Sequence, residues 1–285
     1  MQSVVVTGVT SGIGWGCAKV LLEKGFRVFG SVRNEADATR LRAQWGERFE
    51  PLLFDVTAQD EVMAAAQKVK AVLGSDLLFG LVNNAGIAVP GPLLYLPIAD
   101  FRHQLEVNVV GQLIVTQAFA PLCGAEPDGP SRKGRIVNIT SVGGTSASPF
   151  VGAYNSSKFA FEGLSEALRR ELMLFGVDVI VVAPGAVKTP IWDKAEAIDV
   201  AAYERTVYGP SLRKVRELML QMGRSGLPPE AIGQAVHRAL TARAPRARYV
   251  ITPDPVQNVV VNTFPRRLVD RIIARRLGLA RKVQA

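Results

Sequence analysis

Short apolar runs alternate with longer amphipathic segments along most of the chain. The short runs are rich in β-branched residues and hold few polar positions, which is typical of strands covered on both faces of a sheet. The longer segments repeat apolar residues at helical spacing. We therefore predict strands at residues 3–7, 27–32, 51–54, 78–82, 135–140, 178–182 and 248–251. Helices are predicted at residues 13–24, 36–45, 58–73, 98–122, 153–175 and 229–242.

The alternation of strands and helices predicts an α/β fold. Consecutive βαβ units with right-handed crossovers give a doubly wound parallel sheet with helices on both faces. We expect a single domain over residues 1–252 and an extension over residues 253–285, because no segment resembles an interdomain linker. Residues 185–227 form an unusually long connection, which we interpret as a lid or a wall of a substrate pocket. The turn-rich loop 124–134 is the other irregular segment.

The positive charge is concentrated in the extension. The 285 residues include 34 Lys and Arg against 25 Asp and Glu, a net charge of +9. Residues 266–285 carry +6 of this charge, so the rest of the chain carries only +3. The basic character is therefore mostly a property of the tail, and no nucleic-acid partner is expected. Two cysteines and two histidines are too few for a disulfide framework or a site rich in these metal ligands, and no metal is expected.

No targeting or membrane-spanning segment is apparent in the sequence. Met1 leads directly into an apolar strand without a basic region or a cleavage site. The most apolar stretch, residues 77–96, is interrupted by Asn, Gly and Pro. We expect a cytoplasmic protein.

An amphipathic basic helix is predicted in the extension, from Pro265 to Gly278. It could pack on the protein's own body or a second subunit, or it could lie on an anionic membrane surface. We favour the first interpretation and expect a homo-oligomer, because the apolar stripe is short and lacks aromatic anchors after Phe264. The residues of the stripe are Leu268, Val269, Ile272, Ile273 and Leu277.

A glycine-rich turn follows the first predicted strand. Gly8 permits a tight turn, Gly12 lets the backbone approach a pyrophosphate, and Gly14 lets the next helix pack close to the sheet. The N-terminus of that helix offers free N–H groups and a positive dipole end to phosphates. A plain corner between a strand and a helix is the alternative, but the position after the first strand favours dinucleotide binding.

The end of the second predicted strand discriminates between NAD and NADP. Proteins that bind NAD usually place a carboxylate there for the ribose 2′-hydroxyl, but residues 29–34 contain no acid. Arg33 instead offers a fork of donors where a 2′-phosphate would lie, and the Ser11 hydroxyl could add to it. A solvated surface arginine is the alternative. NADP (NADPH) is therefore the expected cofactor, with NAD less favoured.

Polar residues also follow the third and fourth predicted strands. The Asp55 carboxylate could accept a hydrogen bond from an adenine amino group, or it could cap the next helix, and the residue itself favours neither role. Residues 83–86, Asn-Asn-Ala-Gly, tolerate unusual backbone angles and leave room for a ribose. A simple turn is the alternative there.

Tyr154 and Lys158 are one helical turn apart and share a face of a predicted helix. A nearby ammonium favours the phenolate, so Tyr154 could act as a general acid or base. Ser141, at the end of the fifth strand, could hold a substrate oxygen beside it or serve as a capping serine. Asn108 lies in an apolar setting where an amide needs a partner. It could bind a carbonyl and a water leading to Lys158, or it could bend its helix.

Taken together, these motifs resemble the short-chain dehydrogenase/reductase family, and its hydroxysteroid/retinol dehydrogenase branch in particular, over about residues 3–252. The resemblance implies a Rossmann-like sheet of about seven strands, hydride transfer with a nicotinamide, and a catalytic tetrad of Asn108, Ser141, Tyr154 and Lys158. It also implies that Thr189, which follows Pro184 and Gly185, contacts the carboxamide. The expected cofactor contacts are Gly8, Thr10, Ser11, Gly12, Ile13, Gly14, Arg33, Asp55, Val56, Asn83, Ala85, Gly86, Tyr154, Lys158, Pro184, Gly185, Val187 and Thr189.

The expected function is therefore that of an NADP-dependent oxidoreductase. It would interconvert an apolar primary or secondary alcohol and its aldehyde or ketone, with Tyr154 as general acid and base. The alternative is an NADP-binding sensor or interaction protein without turnover. A nucleic-acid binder is suggested only by the net charge.

Overall fold

A parallel sheet forms the centre of the molecule. The computed structural model describes residues 1–127, 129, 133–192 and 203–280. Its strands are β1 (Ser3–Val6), β2 (Arg27–Val32), β3 (Phe49–Leu53), β4 (Gly80–Asn83), β5 (Arg135–Ile139), β6 (Asp178–Pro184) and β7 (Arg248–Ile251). They follow the order β3-β2-β1-β4-β5-β6-β7, and every neighbouring pair is parallel. The predicted doubly wound α/β fold is confirmed.

The strand order reverses between β1 and β4. The chain builds outward from β1 to β3 and then crosses back, so that β4 lies on the other side of β1. In a doubly wound sheet such a reversal opens a crevice at the carboxyl ends of the strands, and ligands bind there. The ends of β1 and β4 therefore mark the place where a ligand is expected.

Helices cover both faces of the sheet. They are α1 (Gly12–Glu23), α2 (Glu35–Trp45), α3 (Gln59–Leu73), α4 (Ile98–Leu105), α5 (Gly111–Phe119), α6 (Gly152–Glu171), α7 (Gly209–Ser225), α8 (Pro229–Thr241), α9 (Pro255–Thr263) and α10 (Arg266–Leu277). Apolar side chains of α1, α2 and α8 form one core with the sheet, and those of α3, α5 and α6 contribute to the core on the other face. The valine-rich strands are buried between these two layers.

The helix predicted over residues 98–122 is interrupted in the structure. A π-helical turn, Glu106–Val110, separates α4 from α5, and a short 3-10 turn, Pro121–Cys123, follows α5. A π turn inserts a residue without ending the helix, so apolar spacing alone indicated a single helix. The turn contains Asn108, whose side chain is almost fully buried. Such turns are frequent at functional sites.

The long connection 185–227 contains α7, a helix that the sequence pattern did not predict. Leu212 and Val215 of α7 are buried together with Phe150 and Leu277, and we call these four residues the Phe150 cluster. The described part of the chain leaves out residues 193–202 of this connection, residues 128 and 130–132 of the loop 124–134, and residues 281–285 of the tail.

Two helices, α9 and α10, follow β7. The observed α10 matches the predicted tail helix and ends at Gly278, which adopts a left-handed conformation. Its Ile273 and Leu277 pack on the α7 side of the molecule, whereas Leu268 and Ile272 are exposed. The apolar stripe is therefore divided between a packed edge and an exposed edge. None of the described helices is both long enough and apolar enough to cross a bilayer.

Candidate active site

The turn between β1 and α1 has a left-handed backbone at two of its glycines. Gly8 and Gly12 have φ angles of +70° and +60°, in the region that favours glycine. A Cβ atom on Gly14 would lie 2.1 Å from the Gly8 carbonyl oxygen. The turn is therefore closed tightly against the start of α1, as a close approach to a pyrophosphate requires.

Hydrogen bonds connect this turn to the strands on either side. The Gly8 N–H donates to the Ser31 hydroxyl of β2 at 2.8 Å. The Thr7 hydroxyl accepts from the N–H groups of Asn84 and Ala85, each at 2.9 Å. The ends of β1, β2 and β4 are thus held together where the strand order reverses.

The first turn of α1 presents donors suited to an anion. Ser11 is the N-cap residue, and its exposed side chain makes no capping bond with the described chain. The first N–H groups of a helix have no partner within it, so those of residues 12–14 are oriented to bind phosphate. Thr10 and Ile13 are partly buried beside them. These features fit the pyrophosphate of a dinucleotide.

Residues 184–189 lead from the end of β6 to the glycine turn. Pro184 is the last residue of β6, and the Gly185 N–H donates to the Ile251 carbonyl at 2.8 Å. Val187 is buried. A Cβ atom on Gly12 would meet the Thr189 side chain at 3.2 Å. Thr189 therefore lies beside the glycine turn, on the side of β6.

Arg33 and Asp55 lie next to each other after β2 and β3. Their closest charged atoms, Nη1 and Oδ2, are 3.9 Å apart, and the Arg33 side chain is mostly exposed. Asp55 Oδ1 accepts from the N–H and the hydroxyl of Thr57 at 2.9 and 2.7 Å. Burial raises the pKa of Asp55, but the Thr57 hydrogen bonds and the Arg33 charge outweigh burial and leave the pKa lowered. Asp55 thus caps a turn through Oδ1, while Oδ2 faces Arg33. The neighbouring Val56 is buried.

The motif at residues 83–86 is fixed mainly by polar contacts inside the protein. Asn83 Nδ2 donates to the Thr116 hydroxyl and to Asn138 Oδ1, each at 2.9 Å. Both amide hydrogens are used, whereas the buried Oδ1 of Asn83 has no hydrogen-bond partner among the described residues. A Cβ atom on Gly86 would lie 3.2 Å from Asn108 Oδ1, which places Gly86 against the π turn.

Three of the four predicted tetrad residues meet where α6 faces the end of β5. Lys158 Nζ lies 5.8 Å from the centre of the Tyr154 ring and donates to the Ile139 carbonyl at 3.0 Å. The Ser141 hydroxyl accepts from the Gly143 N–H at 3.0 Å and interacts with the Tyr154 phenol. A phenol, a hydroxyl and an ammonium therefore share one side of the crevice.

Burial governs the pKa values of Tyr154 and Lys158. Desolvation raises the pKa of Tyr154, and the interaction with Ser141 offsets only part of this effect. Burial lowers the pKa of Lys158 to about 8, against the opposing charge of Glu162. The expected shift of Tyr154 toward the phenolate is therefore absent in the protein alone. The phenol keeps its proton at neutral pH, as a proton donor requires.

Asn108 is held in the π turn by the loop after β4. Its Oδ1 accepts from the Ile87 N–H at 2.9 Å, and its Nδ2 donates to the Ile87 carbonyl and the Ser157 hydroxyl, each at 3.0 Å. The Ser157 hydroxyl in turn donates to the Tyr154 carbonyl at 2.7 Å. The Asn108 side chain thus connects this loop to the helix that carries Tyr154.

Three residues that the sequence pattern did not single out lie next to the site. Ser157 lies three residues after Tyr154, and Glu162 lies four residues after Lys158. Both could have been found by counting helical turns from the predicted pair. Arg40 donates to the Thr10 carbonyl at 3.3 Å and to Asp37 at 2.7 Å. Its only sequence signal is its position in the predicted helix 36–45, seven residues after Arg33.

The described residues contain no group of three or more His, Cys, Asp or Glu side chains that could hold a metal ion. Cys17 and Cys123 are both buried, and burial raises the pKa of each thiol to about 12. Neither cysteine is therefore a nucleophile at neutral pH. The described side chains of the crevice thus offer a protonated phenol at Tyr154 beside a glycine turn whose geometry suits a phosphate.

Known proteins resemble this chain in sequence and in structure. The short chain dehydrogenase family matches residues 2–199. An NADPH-dependent 3-dehydrocapnine reductase from Ornithobacterium rhinotracheale is 38% identical over 273 residues, which cover 95% of this chain and 96% of that protein. Retinol dehydrogenase 16 from Mus musculus is 34% identical over 260 residues, covering 86% and 79%. A short chain dehydrogenase/reductase from Burkholderia phymatum in complex with NAD superimposes with a TM-score of 0.74 at 26% identity, covering 100% and 98%.

Proposed function

Because the chain belongs to the short-chain dehydrogenase/reductase family of oxidoreductases, we propose that it interconverts an apolar alcohol and its ketone or aldehyde with NADPH as the preferred reductant. The observation that carries this proposal is the meeting of Tyr154, Ser141 and Lys158 at the carboxyl end of β5. The glycine turn lies at the same edge of the parallel sheet. A hydride donor and a proton donor can therefore act on one carbonyl group.

Tyr154 supplies the proton in the direction of reduction. Burial keeps the phenol protonated, so it can donate to the oxygen as negative charge develops there. The Ser141 hydroxyl holds the same oxygen, and the Lys158 ammonium stabilises the phenolate that remains. When bound, NADPH supplies the hydride. In the direction of oxidation, Tyr154 accepts the proton instead.

Arg33 supports the preference for NADP. The segment 29–34 offers no carboxylate to a ribose 2′-hydroxyl. Arg33 is mostly exposed, and its 3.9 Å separation from Asp55 is longer than a hydrogen bond. Its donors are thus available to a phosphate. The name of the similar 3-dehydrocapnine reductase includes NADPH, whereas the similar Burkholderia protein was solved with NAD. A comparison of NADPH with NADH tests the preference.

Aromatic side chains beside the N-terminus of α6 support an apolar substrate. The rings of Phe150 and Tyr208 are 5.6 Å apart, and those of Tyr95 and Tyr208 are 6.1 Å apart. Phe150 lies four residues before Tyr154 and has a positive φ of 66°, which is unusual for a residue with a bulky side chain. Backbone of this kind is maintained only where its surroundings fix it, and it is common next to binding sites. We propose that these rings line the entrance for the substrate.

A panel of carbonyl compounds tests the proposal. Purified protein is mixed with NADPH or NADH and with steroid, retinoid, long-chain and aryl ketones or aldehydes, and nicotinamide absorbance is followed. We expect oxidation of NADPH with at least one apolar carbonyl and slower oxidation of NADH. Tight NADPH binding without turnover on any member would favour a sensor, and a preference for NADH would contradict the role of Arg33.

A further inference from the structure

Glu162 has contacts that the proposed tetrad does not explain. It lies one helical turn after Lys158 on α6, and its side chain is only 17% exposed. Its Oε1 accepts from the Thr140 hydroxyl at 2.7 Å. The Arg248 guanidinium of β7 donates to both carboxylate oxygens at 3.1 to 3.3 Å. Charge-assisted bonds of this kind are strong and geometrically specific, so Glu162 is held in one position.

Three successive residues at the end of β5 face α6. Ile139 and Thr140 each form a hydrogen bond to an α6 side chain, and the Ser141 hydroxyl interacts with a third. The three α6 side chains are spaced four apart, which places them on one face of the helix. The pairs are Ile139 with Lys158, Thr140 with Glu162, and Ser141 with Tyr154. Glu162 is the member anchored to a third element, because Arg248 belongs to β7. Its carboxylate therefore fixes the strand end immediately before Ser141.

Glu162 also faces the Lys158 ammonium. Lys158 is 6% exposed, and a buried ammonium is stable only with compensating negative charge. The ionisable groups of the described chain around it are Tyr154 and Glu162 on α6, with Arg248 of β7 on the far side of Glu162. Glu162 favours the charged form of Lys158, and the like charge of Arg248 is expected to act against it.

We infer that Glu162 is a positioning residue that holds the Ser141 end of β5 in place and keeps Lys158 in its charged form. It need not contact the substrate. The inference rests on the proposed function, since that function gives Lys158 and Ser141 their roles.

The test is a pH profile of the Glu162→Gln variant. The glutamine keeps an oxygen for Thr140 but loses the charge, so it separates the two effects. NADPH affinity, from fluorescence titration, and carbonyl reduction are both measured between about pH 6 and 10. In the wild type we expect both to decline as pH rises through about 8, where Lys158 loses its proton. In Glu162→Gln the decline is expected about one pH unit lower, with turnover at low pH within about threefold of wild type.

Two further variants keep the test decisive. Glu166→Gln removes an exposed acid one turn further along α6, paired with Arg170, and we expect its profile to match the wild type. Arg248→Gln removes the charge that opposes Lys158, so its decline is expected to move to higher pH. This opposite shift remains measurable even if Glu162→Gln is unstable.

The inference would be overturned if the pH profiles of the wild type and Glu162→Gln coincided. It would also be overturned if Glu162→Gln lost activity by the same factor at every pH. An Arg248→Gln shift toward lower pH would also overturn it. Failure of the proposed function gives a different result: no carbonyl is reduced by the wild type, while the NADPH-binding profiles of the variants can still be compared.

Discussion

At the scale of single residues, the Tyr154 phenol is the proton donor on which the proposed chemistry depends. Tyr154→Phe removes the hydroxyl but leaves the ring, the glycine turn and Lys158 in place. We expect turnover to fall at least ~10²-fold, the usual contribution of a general acid, with NADPH affinity little changed. Steady-state rates and fluorescence titration measure the two quantities. Unchanged turnover in the variant would remove Tyr154 from the mechanism.

Arg33 is the residue expected to distinguish the two nicotinamide cofactors. A hydrogen bond to a charged group is worth about 1.5–3 kcal/mol, so Arg33→Gln should weaken NADPH binding by roughly 10- to 100-fold. NADH binding should stay within about twofold. Arg42→Gln is the matched control, because it removes an exposed arginine of α2 and changes the net charge equally. Equal losses in both variants would show a general electrostatic effect instead of recognition of the 2′-phosphate.

At the scale of elements, the junction of β1 and α1 depends on the absence of a side chain at Gly14. An added Cβ atom would lie 2.1 Å from a backbone oxygen, so Gly14→Ala must displace α1 from the turn. We expect NADPH affinity to fall more than about tenfold and stability to fall by about 1–3 kcal/mol, as in overpacked cores.

Gly163→Ala is the control for Gly14→Ala. No atom lies within 4 Å of the position that its Cβ would occupy, and the residue is inside α6. The substitution should therefore stabilise the protein by about 0.5–1 kcal/mol through helix propensity. Thermal unfolding and NADPH titration of both variants compare them directly. Wild-type cofactor binding by Gly14→Ala would contradict the assignment of the turn.

At the scale of the whole molecule, the C-terminal extension contributes to the body through α10. Leu277 is 7% exposed in the Phe150 cluster, and Ile273 packs against it. Deletion of residues 265–285 should lower stability by at least about 2 kcal/mol, the order of one buried leucine, or change the oligomeric mass, without abolishing NADPH binding. Thermal unfolding, light scattering and cofactor titration measure these effects. Leu277→Ala should reproduce the loss of stability with the basic tail retained.

The exposed edge of the extension could contact either a second subunit or an anionic membrane surface. Leu268 and Ile272 on α10 and Val256 and Val259 on α9 are exposed, close in sequence to several arginines. In the expected homo-oligomer, this edge would meet a second subunit. Sedimentation with anionic vesicles distinguishes the alternatives, because tail-dependent vesicle binding at unchanged oligomeric mass would show that the membrane interpretation is correct.

The local patterns of the sequence determined most of the architecture. Strand and helix periods, together with the rule that βαβ crossovers are right-handed, lead to the doubly wound sheet that is observed. Gly8, Gly12 and Gly14 could be identified because their roles depend on backbone geometry within a few residues. Tyr154 and Lys158 could be paired because helical spacing places them on one face.

Contacts between distant segments were decided only by the tertiary structure. Burial outweighs the effect of Ser141 on the pKa of Tyr154, and desolvation depends on every element packed around the phenol. The side chain of Asn83 is committed to Thr116 and Asn138, and Arg248 reaches Glu162 across 86 residues of chain. The π turn at Asn108 escapes apolar spacing, because it adds a residue without ending the run of helical residues. Periodicity along a sequence indicates which face of an element a residue occupies. The residue that it contacts on that face belongs to a distant segment, and only the tertiary structure brings the two together.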